Sequence, residues 1–360
     1  MSSTPPEKEV VVSGAAGLGA AVASETGAEL GSLESVRARG YWELVWIRFK
    51  RDKVAIASGI FIIVLVIVAF AGAPIAQHFI GHGPNDIFGT ETGAVEPTSL
   101  LPANPWTHIE YLAPPTYTHT NHDVLVLGAA NRLGQDEFLR LLYGAQVSLE
   151  VAVLSTIGVM FIGVILGSIA GYFRGWVDTL ISRVTEITMA FPALLFIVAL
   201  AATVGPQLDS ITFGFLAPGV ITLVLIFTIF GWFYPCRIMR AQVLSLREKE
   251  YIEAARMIGA SDLRIIRSHV LPHLVAPIIV YSTLIVASYV LAEAGLSFLG
   301  LGIKPPTASW GNLLSDAPQY YTTRPLLMLW PGLAVLATTL AFNLLGDGLR
   351  DAFDPRASHT

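Results

Sequence analysis

The side chains able to do covalent or metal chemistry are scattered through this sequence rather than gathered. Five histidines, His78, His82, His108, His119 and His122, fall in one long polar stretch, and only His119 and His122 are closely spaced. A metal centre needs three or four converging ligands with supporting partners, so no metal site is expected there. There is no His-Glu-x-x-His zinc helix and no Gly-x-x-x-x-Gly-Lys-Ser/Thr phosphate loop, and the five lysines lack a glycine-rich lead-in. Cys236, the single cysteine, excludes a disulfide framework and reads as a small buried side chain at the end of an apolar run. Arg183 and Glu186 stand at i, i+3 and fit a simple ion pair, while Glu293 reads as an outer-edge residue with water near. No serine or aspartate is set beside a base as a nucleophile would require. The expectation is a chain that catalyses nothing itself and holds no cofactor.

One charged segment suits mechanics better than catalysis. Residues 253–272 read Glu-Ala-Ala-Arg-Met-Ile-Gly-Ala-Ser-Asp-Leu-Arg-Ile-Ile-Arg-Ser-His-Val-Leu-Pro, between two long apolar runs. Residues 250–258 are predicted helical, and Gly259 can take the left-handed conformation that ends a helix. Ser261 then caps a second helix running from Asp262 toward His269, with Asp262 complementing its dipole. In this helix-turn-helix, Ala254 and Ala255 leave a smooth face for another protein. Glu253 and Arg256 pair on the exposed side, and Leu263, Ile266 and Val270 form an apolar stripe that packs back on the rest of the chain.

The elements that position this segment are membrane helices. The chain is 53% hydrophobic and 14% charged, with a mean hydropathy of +0.61. Soluble domains carry about a quarter charged residues, so the deficit indicates an integral membrane protein. A net charge of -5, with the acids in the tail and one long loop, argues against a nucleic-acid partner.

Residues 54–75 make a first span of about 33 Å, enough for a hydrocarbon core of roughly 30 Å. Ala71-Gly72-Ala73 resembles a signal-peptidase site, but the apolar run is too long and too far from the start for a signal peptide, so it reads as a retained anchor. Five further spans are expected near 147–170, 178–204, 218–235, 272–292 and 326–345. With the N-terminus inside, 18 of the 22 Lys and Arg residues fall on inner segments and 4 on outer ones, in keeping with the positive-inside rule. The expected organisation is a disordered cytoplasmic tail (1–37), an interfacial helix and first span (38–76), an extracytoplasmic loop (77–146), a five-helix core (147–350) with an inner loop at 248–271, and a cytoplasmic tail (351–360).

The spacing Glu253-Ala254-Ala255, then Gly259, then Leu271-Pro272 resembles the EAA loop of bacterial ABC-importer permeases, where a membrane subunit docks onto its ATPase. A longer stretch, residues 292–314, is similar to the signature of the dipeptide/oligopeptide and nickel permease family, C-type subunit: Ala-Glu-Ala-Gly-Leu-Ser-Phe-Leu-Gly-Leu-Gly-Ile-Lys-Pro-Pro-Thr-Ala-Ser-Trp-Gly-Asn-Leu-Leu. Residues 142–149, 171–178 and 190–195 are also similar to that family. One departure is Leu133-Gly-Gln-Asp-Glu-Phe-Leu-Arg140, shortened relative to the family's Leu-Gly-Thr-Asp and Gly-Arg-Asp stretch, which bears on the outer loop and on binding-protein docking.

The resemblance implies an all-α, six-span, type I ABC-importer permease that forms half of a pore in a bacterial cytoplasmic membrane, with both termini cytoplasmic. It implies a homologous second permease, two ABC ATPases that hold the ATP and Mg, an extracytoplasmic substrate-binding protein, and peptides as the usual cargo. Related systems carry nickel, glutathione or other small solutes. The coupling loop would comprise Glu253, Ala254, Ala255, Arg256, Gly259, Ala260, Ser261, Asp262, Leu271 and Pro272. In the outer signature, Gly295, Gly300 and Gly302 permit reversals, and Phe298 and Leu299 are apolar enough to fold back as a gate, with a compact cap the equal alternative. An ion-driven secondary transporter would instead favour inverted repeats and mid-membrane charges. An intramembrane enzyme would need a buried nucleophile and base, or a metal set.

Overall fold

Asp52 and Asp136 set the starts of two long helices by accepting backbone N–H groups with their carboxylates: Asp52 from Val54 and Ala55, Asp136 from Phe138 and Leu139. The computed structural model describes residues 40–109, 124–203 and 217–354. The tails, His119, His122 and most of the outer connection near 205–217 therefore lie outside the described residues. The chain divides into two units, Met1–Ile47 and Arg48–Thr360. Of the first, only Gly40 and the start of helix α1 (Tyr41–Phe49) are described, with Tyr41, Trp42 and Trp46 exposed. The second unit holds the long helices.

Its long helices are α2 (Lys53–Ile80), α3 (Glu137–Phe173), the bent pair α4 (Gly175–Ala190) and α5 (Ala193–Thr203), the bent pair α6 (Val220–Gly231) and α7 (Phe233–Arg247), α9 (Asp262–Phe298) and α11 (Leu326–Phe353). Between them lie two short helices, α8 (Glu250–Met257) and α10 (Trp310–Asp316). Four helices are long and apolar enough to cross a membrane, and up to six if each bent pair is one span. The all-helical, multi-span fold class stands.

Two expected spans are broken. The third turns by 80° between α4 and α5. Phe191 there is extended ahead of Pro192, because a proline disfavours helical geometry in the residue before it. The fourth bends by 43° at Trp232. Pro235 lacks the N–H that would bond the carbonyl four residues back, at Gly231. The fifth helix starts ten residues before the expected 272, at Asp262. The Ala71-Gly72-Ala73 stretch lies inside α2, where Val68–Gly72 form a π turn.

Helix α3 is the spine. At 37 residues it runs about 55 Å, so one end stands clear of a roughly 30 Å core. It packs on α6, α7 and α9; α9 packs on α11, and α11 on α2. The contact with α7 is backbone-close because Gly163, Gly167 and Gly171 recur every fourth residue on one face. The segment between α2 and α3 has a small core of its own, Phe88, Ala94, Ile109, Leu125 and Ala129, beside a two-residue ribbon of β1 (Thr107–His108) and β2 (Val124–Leu125).

Candidate functional site

A charged hairpin is built by α8, a turn at Gly259 and the start of α9. Gly259 has φ +84°, the left-handed region, so only a residue without Cβ sits there unstrained. Its N–H donates to the Arg256 carbonyl (2.9 Å), and that of Ala260 to the Ala255 carbonyl (3.0 Å), the two bonds of a Schellman ending. Ser261 has the extended backbone of a cap, but its side chain makes no capping hydrogen bond. Asp262 lies in the first turn of α9 as expected.

Burial within the hairpin differs from the expected stripe. Ile252, Ala255, Ile265, Val270 and Leu274 are buried with Met239 and Val243 of α7, while Leu263 is 64% exposed. Ala255 therefore faces inward, and only Ala254 of the pair is exposed. The cause is local geometry. Residues five apart on an α-helix point about 140° away from each other, but Ile266–Val270 form a wider π turn that returns Ile265 and Val270 to one side. Pro272, which lacks an N–H, follows directly, and Leu271 closes the turn onto the Ile266 carbonyl. Outside the hairpin, Met257 and Ile258 are 82% and 86% exposed and form an apolar knuckle with Leu263.

A tyrosine that the sequence reading did not single out ties the hairpin to the spine. Tyr172, at the end of α3, donates its hydroxyl to Asp262 Oδ1 (2.7 Å). The Arg256 guanidinium lies 5.1 Å from its ring centroid and that of Arg247 5.7 Å, so Arg256 stacks on Tyr172 in place of the expected partnership with Glu253. Nearby, Arg240 of α7 grips Asp178 with both its Nε and Nη2 (Nη2 to Oδ2, 2.7 Å), and Arg174 pairs with Glu248. The hairpin thus rests on α3 and α7, and the Arg240–Asp178 pair ties α4 to α7 beside it. Arg183 and Glu186 do pair, at 2.7 Å, but on an exposed face.

Tyr172→Phe keeps the ring and removes only the bond to Asp262. Losing about 1 kcal/mol should speed amide exchange over residues 262–270 roughly fivefold in hydrogen-exchange mass spectrometry. Unchanged exchange would show that this bond does not hold the hairpin.

At the other end of the spine, residues 292–314 fold as the end of α9, a turn at Gly300 (φ +74°) and the short helix α10. Glu293 is 0% exposed, not at a watery edge. Its carboxylate accepts from Ser148 Oγ of α3 and Ser297 Oγ, each at 2.7 Å. Ser148 Oγ in turn accepts the Trp310 N–H, and Ser297 Oγ the Ile303 N–H. Gly302 fits because a Cβ there would come within 2.7 Å of the Ser297 nitrogen. Gly295 is helical, and Phe298 and Leu299 stay exposed beside this knot. These bonds hold residues 293–310 as a compact turn at that end of the spine.

Glu293→Leu strands two buried hydroxyls, at a cost of about 1–3 kcal/mol for each left unsatisfied. A lower melting temperature in detergent is the expected result, and a wild-type melting curve would contradict the knot. Sequence reasoning missed this cluster because its members lie 145 residues apart.

Residues 163–359 match the family described as "Binding-protein-dependent transport system inner membrane component", and residues 40–89 match "N-terminal TM domain of oligopeptide transport permease C". The chain is 42% identical to the dipeptide transport system permease protein DppC of Alkalihalophilus pseudofirmus over 62% of this chain and 69% of that one. It is 34% identical to the glutathione transport system permease protein GsiD of Pectobacterium atrosepticum over 88% and 91%. Among solved structures, the MetNI methionine ABC transporter in inward-facing form has a chain that matches with a TM-score of 0.45 and 18% identity, over 60% of this chain and 96% of that one. With a family match across more than half its length, the chain belongs to the inner membrane components of binding-protein-dependent transport systems, and is a permease subunit of an ABC importer.

Proposed function

We propose that this subunit forms half of a translocation pore for peptides or peptide-like solutes, and that the hairpin 250–265 receives the stroke of ATPase partners. The observation that carries this is the hairpin itself. One face is buried against α7 and braced on Tyr172, while Met257, Ile258 and Leu263 project from the other. An exposed apolar knuckle on a rigid base suits a groove in another protein. Glu253, Ala254, Arg256, Gly259, Ala260, Ser261, Asp262, Leu271 and Pro272 are the remaining residues of that surface and its hinge, with Ala255 in its base. The knuckle's ATPases would bind ATP and Mg, and this subunit would catalyse nothing. Both termini would be cytoplasmic, in keeping with the basic residues on the inner segments.

The further partners are a homologous permease and an extracytoplasmic binding protein that releases cargo at the outer cap, where Gly295, Phe298, Leu299, Gly300 and Gly302 would flank the outer mouth. Relatives named for dipeptide, peptide and glutathione transport support the cargo class. The test is reconstitution of the complex in proteoliposomes. ATP-dependent uptake of a dipeptide that requires the binding protein is the expected result. Uptake by this chain alone, driven by an ion gradient, would overturn it in favour of a secondary carrier.

A further inference from the structure

The fourth span bends where three helices meet. Gly231 ends α6, the chain turns by 43° at Trp232, and Pro235 leaves the Gly231 carbonyl without the donor that a continuous helix would supply. The ladder resumes at Cys236, whose N–H donates to the Trp232 carbonyl at 3.0 Å. A Cβ built on Gly231 would overlap the Tyr289 hydroxyl of α9, with Tyr289 Cζ at 3.3 Å and Val159 Cγ2 of α3 at 2.9 Å. Gly231 is therefore a notch, and the Tyr289 hydroxyl fills it.

The same hydroxyl donates to the Phe227 carbonyl at 3.3 Å, one turn back along α6. The Phe227 and Tyr289 rings stack, with centroids 4.8 Å apart and planes 8° from parallel. Stacking and hydrogen bond together fix where the hydroxyl stands on α6. Tyr289 also packs against two hydrophobic clusters, one holding Val286, Val290 and Val335 and the other Val151, Leu223 and Phe227. A helical glycine is ordinarily a liability, since alanine has less backbone entropy to lose. Here alanine would have to evict the hydroxyl.

The position matters for the hairpin. Helix α9 begins there, at Asp262, and α7 carries Met239 and Val243 into the hairpin core. The two helices that leave the hairpin are thus linked again where α6 becomes α7. We propose that Tyr289 is a positioning residue of the permease: its hydroxyl, wedged at Gly231, sets the angle between α6 and α7 and so fixes how a displacement of the hairpin is handed on to α6. The wedge stands on geometry alone, and its consequence for transport rests on the hairpin's role in coupling.

The test reads the angle and the transport separately. Spin labels at Leu225→Cys on α6 and Gln242→Cys on α7, both exposed, report the distance across the bend in the full chain in lipid nanodiscs, with Cys236→Ala as background. Tyr289→Phe keeps the stacked ring, removes the hydroxyl, and should shift and broaden that distance. Gly231→Ala should lower the melting temperature in detergent by about 3 °C or more. In the Tyr289→Phe background the same substitution should be neutral or stabilising, because no hydroxyl remains to be evicted. In the importer reconstituted with its partners, Tyr289→Phe should lower the cargo moved per ATP hydrolysed about fivefold, as for loss of one net hydrogen bond, with the KM for uptake unchanged. An equal cost of Gly231→Ala in both backgrounds, or a wild-type distance in Tyr289→Phe, would overturn the wedge. A shifted distance with a wild-type transport ratio would overturn its role in transport. Failure of the coupling reading would show differently, as hairpin variants that leave uptake intact.

Discussion

Gly259→Pro should leave the permease in the membrane but abolish ATP-driven uptake. Proline fixes φ near -65° and has no N–H, whereas Gly259 sits at φ +84° and donates to the Arg256 carbonyl. The Schellman ending is therefore lost at both the torsion and the hydrogen bond, at a cost of about 3 kcal/mol or more. The hairpin core of Ile252, Ala255 and Ile265 depends on that reversal, so the knuckle of Met257 and Ile258 loses its base. The spans do not depend on it: no atom lies within 4 Å of a Cβ built at Gly259. Gly259→Ala is the graded control, since an L-residue in the left-handed region costs about 1–2 kcal/mol, and it should retain part of the uptake. Proteoliposome uptake, measured beside membrane content and ATPase activity, decides the matter. Wild-type uptake by the proline variant would rule out a rigid hairpin as the coupling element.

A larger effect on the fold itself is expected from Gly167→Leu. A Cβ at Gly167 would lie 2.5 Å from the Cys236 carbonyl oxygen and 2.9 Å from Met239 Cβ, both on α7. At Gly163 the nearest atom would be Pro235 Cβ at 2.6 Å, and at Gly171 the Arg240 carbonyl oxygen at 2.8 Å. Backbone cannot step aside as a side-chain tip can. Overpacking ordinarily costs about 1–3 kcal/mol, and prying two helix backbones apart should exceed that. Because α7 also carries Arg240 to Asp178 and Met239 and Val243 to the hairpin, the damage spreads to the hairpin. No monodisperse permease should be recovered in size-exclusion chromatography, with Gly167→Ala in between. Normal recovery and melting of the leucine variant would mean that α3 and α7 do not pack as described.

Much of the architecture was legible in the sequence because the bilayer imposes simple lengths. Apolar runs gave all six candidate spans, and Gly259 was readable as a turn because few residues other than glycine take a positive φ. The breaks were harder. A hydropathy window runs across Phe191-Pro192 and Trp232 without interruption, although Pro192 and Pro235 carried the signal. The hairpin stripe was misassigned at Leu263 because α periodicity was assumed through Ile266–Val270, where a π turn shifts the buried face. The spacing of four at Gly163, Gly167 and Gly171 passed unused, because glycines inside an apolar run leave its length and hydropathy intact. Glu293 was not: its formal charge suggests water, and the hydroxyls that satisfy it arrive from another helix and another turn.

The most direct measurement of the central claim is photocrosslinking in the native membrane. A photoreactive residue at Ile258, the most exposed position of the knuckle, should give a covalent adduct with a nucleotide-binding subunit, and one at Ile60 on the apolar surface of α2 should not. Transport-competent complexes in which Ile258 yields no adduct with such a subunit would contradict the account.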